Sequence, residues 1–184
     1  MSDKAVDVSI PLGELSPILT SCLQEGQEVI LTIKGTSMRP LLFNLRDQVV
    51  LRAADAESLR PGDVPLYLRR NGVYVLHRVV ARDDGTHCEF LDGSVQDSTQ
   101  IGDEVRYTML GDAQVDLEHG IAPSQILGVA TAFIRRGKRI ECNSASYRRY
   151  VRWWYRSLFM RRQLMYIHYF PSRLRRKCRE WIGK

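Results

Sequence analysis

Apolar and polar residues alternate along most of the first 135 residues, with the two-residue period of half-buried β-strands. The alternation is clearest in EVILTIK at 28–34 and in VYVLHRVVA at 73–81. β-Branched and aromatic residues are frequent in the same segments, as they are in strands generally. The predicted strands span residues 28–34, 48–52, 64–69, 73–81, 88–91, 104–110 and 126–135. We therefore expect a mainly β body.

Turn-forming residues mark where the predicted elements begin and end. Ser16 and Pro17 before ILTSCLQ, with Gly26 after it, predict a short helix that has Ser16 as its N-cap. Asn71-Gly72 separates two predicted strands and indicates a hairpin, because both residues tolerate a positive φ. Pro65 indicates that its strand lies at a sheet edge or at a bulge, because proline cannot donate a ladder hydrogen bond.

The pattern changes after residue 139, where strand alternation gives way to helical spacing. The apolar and aromatic positions at that spacing are Tyr147, Tyr150, Val151, Trp154 and Leu158. Arginines occupy much of the remaining helix surface. Pro171 ends or kinks this helix, and a second basic segment, SRLRRKCREWIGK, follows it. We therefore divide the chain into a β domain, residues 1–140, and a basic, aromatic helical tail, residues 141–184.

The charge of the chain divides in the same way. Residues 1–134 carry 11 Lys+Arg against 19 Asp+Glu, whereas residues 135–184 carry 16 against 2. A basic tail rich in Trp and Tyr could lie on an anionic membrane, bind nucleic acid, or pack its aromatic stripe on the β domain. Trp and Tyr beside Arg on one helix favour the membrane surface. Nucleic acid is the least favoured of the three alternatives.

Composition and cysteine spacing exclude several classes of protein. The longest near-apolar run, 126–134, is far shorter than the roughly 20 residues that cross a bilayer. The N-terminus lacks the apolar region of a secretory signal, so we expect a cytoplasmic protein at the inner face of the membrane. The 4 cysteines are widely spaced and are expected to be reduced. His87-Cys88 is only half of a zinc site, and we expect neither metal nor cofactor.

Ser37 lies where a nucleophile could project from the sheet. The segment GTSMRPLL at 35–42 follows the first predicted strand directly. Gly35 allows a sharp turn, which would expose the Ser37 hydroxyl and leave backbone N–H groups beside it. A serine in an isolated G-x-S segment usually only caps a turn, so the surrounding motifs are needed to identify Ser37 as a candidate nucleophile.

Those motifs follow one another in a fixed order: SMRP at 37–40, DQVVL at 47–51, PGDV at 61–64 and LHRVV at 76–80. The series resembles the type I signal peptidase and LexA-like family of serine peptidases over roughly residues 35–140. Segments at 63–67, 74–78, 111–114 and 125–128 resemble a soluble, bacterial, signal-peptidase-like branch that also ends in an arginine- and aromatic-rich tail. The resemblance implies a coiled β-sheet body that cleaves a peptide or preprotein bound as an added β-strand.

The same resemblance implies that the predicted strand 73–81 carries the catalytic base. Many members of the family have a lysine there, but this chain has His77, as in the Ser–His branch. An imidazole with an unperturbed pKa of about 6.5 is a competent base near neutral pH. The alternative is a strand histidine that faces solvent or is satisfied in the core.

A histidine base needs an acid that fixes its tautomer. The segment GDAQVD at 111–116 resembles the one that supplies the acid in the Ser–His branch. We expect Asp112 in that role, with Asp116 as the second choice and Asp92 as a weaker rival. Asp47 and Asp63 are expected to hold turns at strand entries by accepting local backbone N–H bonds.

The residues around Ser37 are expected to contact the substrate: Gly35, Thr36, Met38 and Pro40. Met38 is expected to form a wall of the groove, with core packing as an equal alternative. Gly35 stands where signal peptidases carry a serine. The oxyanion would then be stabilised mainly by backbone N–H groups, including that of Ser37.

The sequence thus predicts a Ser37/His77 serine endopeptidase of signal-peptidase-like fold, acting at a membrane surface. The alternative is a catalytically silent module of the same fold that binds peptides or docks on membranes. A LexA-like regulator is disfavoured, because the residues before Gly35 offer one short helix, which is too little for a helix-turn-helix.

Overall fold

The computed structural model describes residues 12–156. The chain divides into two compact units, residues 1–144 and 145–184. The described part of the first unit contains α1 (Leu12–Gln24), β1 (Val29–Thr32), β2 (Gln48–Arg52), β3 (Pro65–Leu68), β4 (Tyr74–Leu76), β5 (Arg78–Asp83), β6 (His87–Phe90), β7 (Val95–Asp97), β8 (Arg106–Leu110), β9 (Glu118–Ile121), β10 (Ile126–Arg135) and β11 (Lys138–Glu141). That of the second contains α2 (Ala145–Arg156). The protein is mainly β, as predicted.

The strands form two antiparallel sheets. The first has the order β1-β2-β10-β3-β4, and β11 also pairs with β10. The second has the order β7-β6-β5-β8-β9. The pairing register shifts twice along β10 and once within each of the β5–β8 and β8–β9 pairs. Such irregularities bend and twist strands, which curls the sheets.

Apolar side chains from both sheets pack together. One buried cluster consists of Leu59, Tyr67, Val79, Tyr107, Met109 and Ile121. Tyr67 belongs to the first sheet, whereas the other strand residues of this cluster belong to the second. The cluster therefore joins the sheets at β3, next to the strand that leads to His77.

The predicted strand 73–81 is interrupted at His77. The chain forms β4 in the first sheet, passes through His77, and continues as β5 in the second sheet. Residues 78–81 are all buried, so the apolar pattern continues after the break even though the pairing partners change. His77 therefore lies at the junction of the two sheets.

Local turn signals are confirmed in part. Gly26 ends α1 with a φ of 77°, and Gly72 turns the β3–β4 hairpin with a φ of 79°. The predicted helix start is wrong, because α1 already includes residue 12 and Pro17 lies inside it. Ser16 does not cap the helix, and its hydroxyl accepts a hydrogen bond from Tyr74.

Pro65 does not place its strand at an edge, because β3 lies between β10 and β4. Pro65 is the first residue of β3 and pairs with Val129, next to a register shift in β10. Both positions tolerate a residue that lacks an N–H group. Three short strands were not predicted, namely β7, β9 and β11, because their sequences lack a clear alternation and their pairing partners fix them.

The helix α2 is strongly amphipathic. Its buried residues are Tyr147, Val151 and Trp154, and Tyr150 is half-buried, in agreement with the predicted stripe. Its exposed residues include Arg148, Arg149, Arg152, Trp153 and Arg156. Leu158, Pro171 and the second basic segment lie outside the described residues. Neither helix in the range 12–156 combines the length and the apolar character that a bilayer crossing requires.

The fold makes a first prediction about the centre of the β10 sheet. Phe133 on β10 is fully buried, so Phe133→Ala is expected to lower the free energy of unfolding by about 3–5 kcal/mol. Val95→Ala, at an exposed position on β7, is the control and should change it by less than about 0.5 kcal/mol. Urea unfolding followed by circular dichroism measures both, and equal stability of the two variants would contradict this packing.

Candidate active site

The loop that carries Ser37 begins with a turn that glycine permits. Gly35 follows β1 with a φ of 99°, a conformation that L side chains rarely adopt. Its N–H donates to the Asn44 side-chain oxygen at 2.8 Å, which closes the loop over nine residues. Ser37 is half-buried in this loop, just beyond the end of the strand.

Asp47 fixes the other end of the same loop. Its buried carboxylate accepts the Phe43 N–H at 2.9 Å and pairs with Arg46 at 2.7 Å. The hydrogen bond from Arg46 is the main reason that the pKa of Asp47 falls to about 2. Asp63 plays a similar part elsewhere, accepting the Arg60 N–H at 2.8 Å. The turn-holding roles predicted for both aspartates are confirmed.

A second turn holds Ser37 from the opposite side. The Ala113 N–H donates to the Ser37 carbonyl at 2.6 Å. Gly111 makes this approach sterically feasible, because a Cβ there would lie 2.9 Å from the Ser37 carbonyl oxygen and 2.6 Å from Gln114 Oε1. The 111–114 turn and the Ser37 loop are therefore in direct backbone contact.

His77 is almost completely buried, with 1% of its surface exposed. Its Nδ1 lies 3.0 Å from Glu118 Oε1 and 3.3 Å from the Tyr67 hydroxyl. These contacts occupy Nδ1 and favour the tautomer in which Nδ1 carries the proton. Burial lowers the pKa of His77 below its ordinary value, and the negative charge of Glu118 offsets this only in part. The ring is therefore neutral at neutral pH.

Glu118 on β9 is the carboxylate beside His77, and the sequence did not point to it. Tyr67 donates to its Oε2 at 2.8 Å, Arg69 Nε donates to Oε2 at 2.7 Å, and Arg69 Nη2 pairs with Oε1. Burial works to raise the pKa of Glu118, but hydrogen bonds from Arg69 and Tyr67 and the charges nearby lower it overall. The i, i+2 spacing of Tyr67 and Arg69 places both on one strand face. This spacing is the signal in the sequence that could have pointed to the cluster around Glu118.

Asp112, expected beside His77, instead neutralises Arg78. Arg78 Nε and Nη2 donate to its two oxygens at 3.0 and 2.8 Å, and both side chains are fully buried. Arg78 Nη1 also donates to the Gly62 carbonyl at 3.0 Å. A buried guanidinium needs a carboxylate partner, and this need determines where Asp112 lies.

The other two candidate acids do not contact the His77 ring. Asp116 is exposed. Asp92 is also exposed, and its carboxylate accepts the backbone N–H and the hydroxyl of Ser94 within a turn. Glu118 therefore lies beside the His77 ring, where an aspartate was expected.

Ser37 and His77 line one cleft with a volume of about 220 Å³. The other lining residues are Ile33, Lys34, Gly35, Met38, Arg69, Tyr74, Val75, Leu76 and Gln114. Among the residues predicted to contact a substrate, Gly35 and Met38 are in this lining, whereas Thr36 and Pro40 are not. Met38 is also buried, with 3% of its surface exposed, in agreement with the core packing given as the alternative.

Ser37 Oγ and the His77 ring are not hydrogen-bonded to each other, an open geometry common in enzymes without bound substrate. In the described part of the chain, His77 Nε2 has no hydrogen-bond partner, and the N–H groups of Ser37 and Met38 donate to no acceptor. The cleft is thus lined by a serine and by a neutral imidazole.

Two strand edges border the cleft. Residues 33–35 continue the edge strand β1, and Tyr74–Leu76 form the edge strand β4. The Arg69 N–H bonds to the Val73 carbonyl, so in the antiparallel β3–β4 register Tyr74 and Leu76 direct their backbone groups away from β3. An extended peptide could pair with these groups.

Comparisons with known proteins add no further constraint. No protein-family model matches this chain, and no curated protein matches it either. The resemblance to signal peptidases therefore rests on the motifs in the sequence, and the functional argument rests on the geometry of the cleft.

The buried pair beneath the cleft yields a second prediction. Asp112→Asn removes the carboxylate charge that the buried Arg78 guanidinium contacts at 2.8 Å and should lower the free energy of unfolding by about 3–5 kcal/mol. Glu104→Gln removes a carboxylate from the exposed Glu104–Arg106 pair and should cost at most about 1 kcal/mol. Urea denaturation compares them. An Asp112→Asn protein as stable as the Glu104→Gln protein would show that the buried pair does not contribute this free energy of unfolding.

Proposed function

We propose that the protein is a serine endopeptidase in which Ser37 is the nucleophile and His77 is the general base. The observation that carries this proposal is the cleft shared by Ser37 and the buried, neutral imidazole of His77. The order of motifs in the sequence, which resembles the Ser–His branch of the signal peptidase and LexA-like family, points to the same chemistry.

The proposed reaction is acyl transfer to Ser37. His77 Nε2 takes the hydroxyl proton as Ser37 Oγ attacks a peptide carbonyl, and the N–H groups of Ser37 and Met38 stabilise the oxyanion. His77 then gives that proton to the leaving amine as the peptide C–N bond breaks. Water attacks the acyl-enzyme, its proton passes through His77 to Ser37 Oγ, and the carboxylic acid product leaves.

The substrate is an extended peptide or a segment of a protein precursor. The free backbone groups of Tyr74 and Leu76 would pair with it as an added strand and bring its carbonyl to Ser37. The small volume of the cleft, about 220 Å³, favours small side chains next to the scissile bond.

The main competing function is a silent module that binds such peptides without cleaving them. It would need the same cleft and the same strand edges, but not a neutral base beside the serine. The buried, neutral His77 favours the enzyme.

The third prediction separates these functions. With a pool of quenched fluorogenic peptides, Ser37→Ala and His77→Gln should each reduce turnover by roughly 10⁴-fold, and the double variant should lose little more, because the two residues act as a unit. Ser124→Ala and His87→Gln, outside the cleft, are the matched controls and should retain wild-type turnover. Peptide binding without cleavage in the wild type, or undiminished cleavage by Ser37→Ala, would contradict the proposal.

We also propose that α2 docks the protein on an anionic membrane surface at the inner face of the membrane. The exposed arginines of α2 and Trp153, which is 64% exposed, form a basic surface with an aromatic residue. Tyr150 stacks on Tyr147, with ring centroids 6.3 Å apart, and is tilted against Trp153 at 6.5 Å, which extends this aromatic character along the helix. Arginine with Trp and Tyr is the composition of interfacial helices.

The fourth prediction tests this docking with the full chain. The pair Arg149→Gln and Arg152→Gln should weaken sedimentation with phosphatidylglycerol-containing vesicles by roughly 30-fold, since each arginine contributes about 1 kcal/mol. The pair Arg60→Gln and Arg70→Gln removes the same charge from exposed positions on the β body and should change binding little. No sedimentation at physiological salt, or a larger loss of binding to an oligonucleotide than to vesicles, would contradict membrane docking.

A further inference from the structure

The carboxylate beside His77 comes from a different sheet from most of the groups that hold it. Glu118 lies on β9 of the second sheet, whereas Tyr67 lies on β3 of the first and Arg69 directly follows β3. His77 lies between these sheets, at the crossover from β4 to β5. The four side chains therefore meet at the single residue that separates β4 of the first sheet from β5 of the second.

Each oxygen of Glu118 receives two of these contacts. Oε2 accepts the Tyr67 hydroxyl at 2.8 Å and Arg69 Nε at 2.7 Å. Oε1 lies 3.0 Å from His77 Nδ1 and pairs with Arg69 Nη2. A carboxylate held by a bidentate arginine and a buried hydroxyl has little freedom to turn away from the imidazole.

We infer that Glu118 is the positioning residue for His77, and that Arg69 and Tyr67 hold its carboxylate in the orientation this role requires. The inference rests on the proposed Ser37–His77 chemistry. Glu118 acts through the ring: it accepts the Nδ1 proton, which leaves the Nε2 lone pair directed to the cleft, and it stabilises the imidazolium that forms when Ser37 loses its proton.

Tyr67 and Arg69 contribute differently to this arrangement. Burial, followed by the neighbouring Glu118, raises the pKa of Tyr67, so its hydroxyl remains a donor to the carboxylate. Arg69 neutralises Glu118 and also places a positive charge near the ring. The base thus has a nearby anion, yet the cluster is not strongly negative overall.

The charges that face His77 come from three elements and act in opposite directions. Burial is the largest influence and lowers the pKa of His77. Glu118 on β9 and Asp112 in the turn after β8 raise it, whereas Arg69 lowers it. Two variants that break the same ion pair should therefore move the titration of His77 in opposite directions.

The fifth prediction uses this difference in sign. In the full chain labelled with ¹⁵N, the neutral His77 ring should carry its proton on Nδ1, and Glu118→Gln should move its titration to lower pH by about one pH unit. Arg69→Gln should move it to higher pH by a similar amount. The His77→Gln protein identifies the signal, and Glu104→Gln, which removes an exposed carboxylate on the same body, should leave the titration in place.

A pool of fluorogenic peptides gives a second readout. Because the neutral ring is the base, turnover falls on the acid side as pH drops through the pKa of His77, and that midpoint should lie below pH 6.5 in the wild type. Glu118→Gln should lower the plateau rate by roughly 10²–10⁴-fold, and Glu118→Asp should recover part of the loss. The acid limbs of Glu118→Gln and Arg69→Gln should shift in the directions of the titrations.

The outcomes separate this inference from the proposed function. A wild-type ring protonated on Nε2, or titrations of the two variants that shift in the same direction, would overturn the role of Glu118 even if the protein cleaves peptides. Absence of turnover in the wild type would overturn the peptidase, whereas the ring titration would still decide whether Glu118 controls His77.

Discussion

The buried ion pair between Arg78 and Asp112 links the segment that carries His77 to the turn that contacts Ser37. Arg78 follows His77 directly, and Asp112 precedes Ala113, whose N–H holds the Ser37 carbonyl at 2.6 Å. Arg78 is thus one residue away from the proposed base, and Asp112 is one residue away from the N–H group that holds the proposed nucleophile. Because both side chains are fully buried, losing either one would remove the nearest countercharge of the other inside the protein. That cost, about 3–5 kcal/mol, is a large fraction of the 5–15 kcal/mol that stabilises a typical domain.

The same geometry explains why two neighbouring residues meet two different carboxylates. Successive side chains of an extended chain point in opposite directions, so the carboxylate that contacts Arg78 differs from the one that contacts the ring of His77. Asp112 serves the cation and Glu118 serves the imidazole. The site therefore combines a fully buried ion pair that fixes the backbone with a partly exposed cluster that holds the base.

The sequence predicted the features that depend on local pattern. The alternation along 126–135 matches β10, Asn71-Gly72 matches the hairpin, and the motif order singled out Ser37 and His77, which share a cleft. It could not locate Glu118, because β9 has only four residues, carries little alternation and exists through its pairing with β8. Pro65 was expected at an edge or at a bulge, and it lies beside a register shift in an interior strand. Pro17 was expected in the first turn of its helix, and it lies inside the helix.

A serine-directed fluorophosphonate tests most directly whether His77 activates Ser37. Mass spectrometry of the digested, labelled protein should find the phosphonyl group on Ser37 in the wild type. It should find a labelling rate lower by several orders of magnitude in the His77→Gln protein, because the hydroxyl has then lost its base. Labelling of Ser37 at the same rate in both proteins, or no labelling of Ser37 in the wild type, would contradict the account.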